Sequence, residues 1–421
     1  MVGGGISGLA AAHFLRRRGV ESCVFEARPV LGGLLRTESI QGCTVEGGAD
    51  SWLAAKPWAR DLAAELGLGG EVIGSNDALR KTWIWRAGKL LPYPAGMQLV
   101  APSRLGPILR SRLFGLGTKM RMTADWFRLP QSARPDESVA QFVRRHFGQE
   151  AVDYLAEPLL TGIYGGDPEL LSARSVLPKL VERERQHGSL TRGLRPAAAT
   201  GSVFESMRGG LGQLVDALRP ERVLHAAVEA LEREGEGFRL RVQGEWFPAS
   251  QVVLACEAHR AAPLVEPALG ELLNGIRHSS GHIVAMGFRD LAPLRGFGFL
   301  VPKVEGRNLM AATWVSSKFP GRAPEGIQLV RGFYRETSPD PLGELREVMG
   351  FREEPAFMRP FEWPRSLPQY AVGHEARVAE IEERVKQVPG LWLAGNAYHG
   401  VGIPDCVRLA KTTVNRLCAV A

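Results

Sequence analysis

Gly3, Gly5 and Gly8 stand in the spacing G-x-G-x-x-G, and Glu26 closes a short apolar run, Cys23–Val24–Phe25. In that pattern the first glycine allows a tight turn and the second lets backbone approach a diphosphate. The third lets the next helix pack closely on a sheet, and a carboxylate at the strand end bonds both hydroxyls of a ribose. Ile6 and Ser7 fall inside the turn, where the N–H groups and partial positive charge of a helix start face the diphosphate. A second glycine pair, Gly32–Gly33, follows Glu26–Ala27–Arg28 and precedes Leu34 and Arg36, so the string reads E-A-R-x-x-x-G-G-x-x-R. What this spacing can do is hold a dinucleotide.

The elements that must position these residues are legible around them. Leu9, Ala10, Ala12, Phe14 and Leu15 give an apolar helix from about Ser7, closed by Arg16–Arg18 and the stop glycine Gly19. A strand of about five residues should lead into the glycine turn, yet only Met1 and Val2 precede Gly3. A two-residue lead would cost the sheet ladder bonds and the turn its anchor. The expectation is therefore that the natural chain begins earlier, with a β-branched run whose addition raises melting temperature and cofactor content.

With 421 residues there is material for two or three domains. Its 49 glycines exceed the average of about 7%, which suits backbone that repeatedly approaches a ligand. Five scattered cysteines (Cys23, Cys43, Cys256, Cys406, Cys418) carry no C-x-x-C spacing, which argues against a disulfide frame or a metal site. No signal peptide and no run of 18 apolar residues appears, which points to a cytoplasmic protein. The net charge is +7, and 43 of the 52 basic residues are arginine. Basic and aromatic residues do not interleave as in a nucleic-acid platform. In residues 99–130, however, Arg104, Arg110, Arg112, Lys119, Arg121 and Arg128 face a single acid, Asp125, among many apolar residues. Such a stretch can lie peripherally on an anionic membrane, the inner face of the cell membrane in this setting, or bury its apolar stripe in a helical domain.

The string Glu26–Arg36 resembles the flavoenzymes of the amine oxidase and protoporphyrinogen oxidase superfamily. Further strings narrow the resemblance to the oxygen-dependent protoporphyrinogen and coproporphyrinogen III oxidases. They are PLLTGIYGGDPELLS within Glu157–Leu180, PQYAVGH in Trp363–His374, and LWLAGNAYHGVGIPDC from Leu391 to Cys406. The resemblance spans the whole chain, although Gly332–Gly350 is shorter than the family leads one to expect. It implies an α/β fold: a discontinuous Rossmann-like FAD-binding domain (1–80, 203–270 and 386–421), a mixed-sheet substrate domain (81–98 and 271–385) and a helical insertion (99–202).

It also implies where FAD sits. The first segment would contribute the residues named above together with Gly48, Ala49 and Asp50, and Val228 would contact the adenine from a strand over Val223–Val228. The last segment would bring Gly395, Asn396, Gly402, Ile403 and Pro404, with Asp405 capping a helix over Cys406–Leu417. That helix start would stabilise the negative charge that builds on a reduced flavin. Some amine oxidases of the superfamily attach FAD through a cysteine in the segment matching Ala394–Gly400. None occurs here, so non-covalent FAD is expected. Their lysine near the flavin is also missing from the strand Ile276–Phe288, which carries Arg277, His278 and His282 instead.

The implied reaction is a six-electron oxidation of protoporphyrinogen IX, with O2 as acceptor and hydrogen peroxide as product. Coproporphyrinogen III is the close alternative, and an amine or carotenoid-type oxidation the distant one. The flavin carries the chemistry and pyrrole N–H groups lose the protons, so no protein base is assigned. Gln98, Gly162, Tyr164, Phe299 and Tyr370 are the substrate-side expectations, with Arg80, Arg104 and Lys303 as cations for the propionates. Oligomeric state stays open.

Overall fold

The computed structural model describes residues 1–130, 134–194 and 201–420; parts of the 99–202 stretch, 131–133 and 195–200, lie outside them. The chain divides into two compact units, Met1–Ser75 with Val203–His278 and Glu375–Ala421, and Asn76–Ser202 with Ser279–His374.

The first unit is built on a parallel sheet of very short strands. Val24–Phe25 pairs with Val223–Leu224, and Val252–Leu254 pairs with Leu391–Leu393, all in parallel. Val2 joins the two pairs, bridging Phe25 on one side and Leu254 on the other. The anchor of the glycine turn is therefore kept. The Val2 N–H donates to Val253 O (2.9 Å), the Ala255 N–H to Val2 O (2.8 Å) and the Gly3 N–H to Phe25 O (2.8 Å). Both edges of Val2 are paired.

Alternation sends Val253 to one face and Val252 and Leu254 to the other, so each face has its own core. On the first face the helix Ile6–Arg16 packs beside the long helix Ile403–Val420. Leu9, Ala10 and Phe14 share that core with Val407, Ala410 and Val414. An antiparallel meander, Val228–Glu234, Gly237–Val242 and Glu245–Ala249, supplies Phe238 and Leu240 to the second. The expected strand Val223–Val228 is thus two strands. It leaves the parallel sheet after Leu224, and Val228 opens the meander opposite Val242.

The second unit contains a seven-stranded mixed sheet in the order Phe357–Pro368, His278–Phe288, Gln328–Tyr334, Leu309–Trp314, Gly298–Leu300, Thr82–Arg86, Lys89–Pro92. Ala87–Gly88 joins the last two strands as a hairpin turn, with both residues at positive φ (47° and 76°), as a two-residue primed turn requires. The helices of the 99–194 stretch belong to the same unit. Val139–Phe147 starts with a reciprocal capping box between Ser138 and Gln141. It carries the buried His146 between two acids, where Nδ1 lies 2.5 Å from the buried Asp125 and Nε2 lies 3.0 Å from the partly exposed Glu184.

The apolar stripe of 99–130 is divided between two fates. Ile108, Leu113, Phe114 and Met122 are buried, whereas Leu109, Leu116, Met120, Trp126, Phe127 and Leu129 are exposed, Leu116 and Phe127 to 76% each. Among the described residues no helix is long and apolar enough to cross a membrane.

Candidate cofactor site

Four chain crossings meet beyond the carboxyl ends of the parallel strands, the place where open α/β sheets receive ligands. Gly3 follows Val2, Glu26 follows Phe25, Ala255–Cys256 follows Leu254, and Gly395 follows the strand Leu391–Leu393 by one residue. The glycines there are used in three different ways. Gly3 has φ +108°, and a Cβ on it would stand 2.9 Å from the Ala255 carbonyl. One on Gly8 would overlap the Gly3 carbonyl oxygen, so the helix can approach the turn only as glycine. Gly5 is different: its nearest neighbour is Gly33 Cα at 4.0 Å, which leaves open space over the helix start. Gly32 (φ +106°) donates to Gly4 O at 2.8 Å and sets the second glycine pair against the first.

Glu26 is 8% exposed, and its two oxygens are separately held. Oε2 accepts from the Gly4 N–H at 2.7 Å and Oε1 from the Arg28 N–H at 2.8 Å. Each oxygen keeps a lone pair for a ribose hydroxyl. A diphosphate over Gly5 and an adenosine ribose on Glu26 therefore fit what the residues leave room for.

The remaining expected contacts surround this turn. A Cβ on Gly48 would overlap the Leu34 carbonyl, and the Ala49 N–H donates to that same oxygen at 3.2 Å. The Asp50 backbone oxygen accepts from Ser206 Oγ at 2.7 Å. The Arg36 guanidinium is held by Glu38 through Nε and Nη2 (3.2 and 3.1 Å), with about a third of its side chain exposed. Val228 opens the meander, and the short span before it brings His225 Nδ1 to 3.0 Å from Arg28 O, beside Glu26.

The last helix begins at Ile403, not Cys406, so Asp405 lies in its first turn and Gly402 takes the cap position. Proline at the second helical position costs nothing there, because its missing N–H would have no partner in the helix. Ser7 bonds the Cys406 thiol, so the first turns of the two helices touch. Burial pushes that thiol up to about 11 and the Cys256 thiol up to about 12. Neither is a thiolate nucleophile at neutral pH.

Residues 6–418 match the family described as flavin containing amine oxidoreductase. The chain belongs to that family. Flavin is accordingly its cofactor, and the Gly3–Arg36 turn with the Gly395–Pro404 segment is where this flavin oxidoreductase would hold FAD. Over nearly the whole of both chains it is 30% identical to a coproporphyrinogen III oxidase of Bacillus subtilis, covering 99% of this chain and 96% of that one. A mitochondrial protoporphyrinogen oxidase of Nicotiana tabacum is 27% identical, covering 96% and 91%. A crystal structure from Exiguobacterium sp. 255-15, provisionally named a protoporphyrinogen oxidase, superposes with TM-score 0.89 at 30% identity, covering 100% of this chain and 98% of that one.

In the flavin oxidoreductase's second unit only some of the expected substrate-side residues come together. The rings of Tyr164 and Tyr370 lie 6.3 Å apart, and Tyr370 stacks on His374 at 4.0 Å. Gln369 joins them by donating to Tyr164 O at 2.8 Å. Gly162 is on the exposed side of the helix Glu157–Tyr164, within 3.7 Å of Leu300 if it carried a Cβ. Phe299 does not join this group. It is 1% exposed and packs edge-on to Trp314 in the sheet's core, because the strand alternates and turns Leu300 to the other side. Gln98 sits in a separate two-residue pairing with Ala101. Arg80 and Lys303 reach the surface acids Asp77 and Asp167 at 3.5 and 3.6 Å, while Arg104 stands before the helix Leu105–Arg110. Sequence reasoning passed over Lys318, Arg322 and Arg331, three cations buried within the second unit. The string SSKFPGRAP held the first two, and their burial was the missing signal.

Proposed function

We propose that this flavin oxidoreductase oxidises coproporphyrinogen III to coproporphyrin III with O2. Three O2 are reduced to three H2O2 while six electrons and six protons leave the substrate. The full-length similarity to the Bacillus subtilis coproporphyrinogen III oxidase carries the choice. It favours coproporphyrinogen over the protoporphyrinogen IX expected from the sequence strings, which both branches share. The chain's share of the chemistry is to bind and to orient. The glycine turn and Glu26 hold the nucleotide half of FAD, and the Ile403–Val420 helix start favours negative charge beside it. When bound, FAD would supply the hydride acceptor for the porphyrinogen's methylene carbons.

The exposed apolar residues of 105–129, interspersed with Arg110, Arg112, Lys119 and Arg121, support a second part of this reading. They suit a peripheral site on an anionic membrane surface, where an apolar, sparingly soluble tetrapyrrole is handed on. The deciding experiment supplies purified holoenzyme with each porphyrinogen separately and follows porphyrin fluorescence and peroxide. A kcat/KM at least tenfold higher for coproporphyrinogen III is the expected result. A preference for protoporphyrinogen IX reverses the choice, and porphyrin from neither removes the reading.

A further inference from the structure

Lys56 and Asp405 are separated by 349 positions, yet Lys56 Nζ lies 2.6 Å from Asp405 Oδ2. The Asp405 side chain is 9% exposed, whereas that of Lys56 is 41% exposed. Asp405 stands in the first turn of the Ile403–Val420 helix and folds back on the loop that enters it. A Cβ on Gly402 would be 3.2 Å from its Oδ2, and one on Gly400 would come 2.5 Å from its Cγ. Gly400, at φ +120°, is thus needed for the carboxylate to lie there, and Gly402 leaves it close room. The next residue, Cys406, touches Ser7 in the first turn of the fingerprint helix. That contact ties this carboxylate to the end of the molecule where Gly5 and Glu26 shape the nucleotide cradle.

A carboxylate in the first turn ordinarily stabilises its helix by complementing the dipole. At a helix start that must also favour an anionic ligand it has the opposite consequence, since its charge cancels the field the helix offers. The lysine ammonium at 2.6 Å offsets it. We propose that Lys56 and Asp405 are a positioning pair, acting through this helix start, that sets the local charge and so the balance between oxidised and reduced flavin. The helix start keeps its net positive character because the lysine neutralises the acid. This rests on flavin occupying the glycine cradle and is independent of which porphyrinogen is the substrate.

The test uses holoenzyme and two readouts that need no substrate: the flavin midpoint potential by anaerobic dye equilibration, and the affinity for sulfite, which forms an anionic flavin adduct. Lys56→Gln should weaken the preference for reduced flavin about tenfold, read as a potential about 30 mV lower for a two-electron couple, and weaken sulfite binding in parallel. Asp405→Asn should move both readouts the other way, Lys56→Arg should leave both near wild type, and the double variant K56Q/D405N should return towards it. A pair that is only structural would lower the melting temperature of K56Q with both readouts unchanged, and that result overturns the proposal. Should K56Q lose its FAD, D405N decides alone: a potential that stays or falls refutes the idea. Failure of the flavin assignment itself would show earlier, as wild-type protein that purifies without the yellow chromophore and takes up no FAD.

Discussion

Replacing Glu26 by glutamine keeps the side chain's size and removes its charge. In the wild type one oxygen is held by the Gly4 N–H at 2.7 Å and the other by the Arg28 N–H at 2.8 Å. Glutamine has one oxygen, so its NH2 must face one of these donors, and a buried N–H loses its acceptor. That costs about 1–3 kcal/mol of stability. Against FAD, one ribose hydroxyl loses its acceptor and the other keeps only a neutral one, a loss of about 1.5–3 kcal/mol. The dissociation constant should therefore rise roughly 10- to 150-fold. Titrating apoprotein with FAD and following flavin fluorescence measures this directly, and the melting temperature of the apoprotein reports the turn separately. A constant within twofold of wild type, whatever the melting temperature does, would mean that the adenosine lies elsewhere and that Glu26 only staples the turn.

Other expectations follow from the same geometry. Acid or heat should release all flavin into the supernatant, because Ala394–Gly400 holds no cysteine and burial keeps the Cys256 thiol protonated; flavin left on the precipitated chain refutes this. Phe127→Glu should cut binding to phosphatidylserine vesicles about tenfold or more, and binding of the wild type should fall with salt; indifference to both returns the stripe to ordinary surface. Burial alone would raise the Glu184 carboxyl, but bonds from His146 and Arg145 overcome it and hold it down to about 2. Since the folded value lies below the unfolded one, the stabilisation is full above about pH 4.5 and is lost as pH falls towards 2. Glu184→Gln should cost about 3 kcal/mol at neutral pH and flatten the melting temperature across that acid range. A variant that melts with the wild-type pH profile would exclude Glu184 as the source.

What the sequence discloses and what it hides divide along a physical line. Gly3, Gly5, Gly8 and Glu26 were legible because a tight turn, a helix start and a strand end are fixed by near neighbours. The capping box at Ser138 is local in the same sense. Asp405 was misplaced by one turn because an acid before an apolar run suits a cap, while Gly402 and the proline that follows Ile403 open the helix just as well. The strand expected over Val223–Val228 is interrupted by a break after Leu224 that no nearby residue announces. Phe299 faces the core because register with Ala312 and Trp83 decides its side, and alternation alone leaves two choices. The ion pair of Lys56 with Asp405 and the burial of His146 between Asp125 and Glu184 exist only once distant segments meet.

The parallel sheet has a consequence in time as well as in space. Leu9, Ala10 and Phe14 complete their core with Val407, Ala410 and Val414, and the strand Leu391–Leu393 closes the edge beside Val252–Leu254. A ribosome adding about 5–20 residues per second needs on the order of 20–80 s to deliver that last strand and helix. Meanwhile the segments Asn76–Ser202 and Ser279–His374 have already emerged in full. The fingerprint helix must wait with its apolar face uncovered, a natural client for a chaperone, and its cofactor turn becomes usable only when synthesis is nearly over. Shortening the chain at its far end should therefore cost the nucleotide site first, although almost every residue that defines the fingerprint lies at the other end.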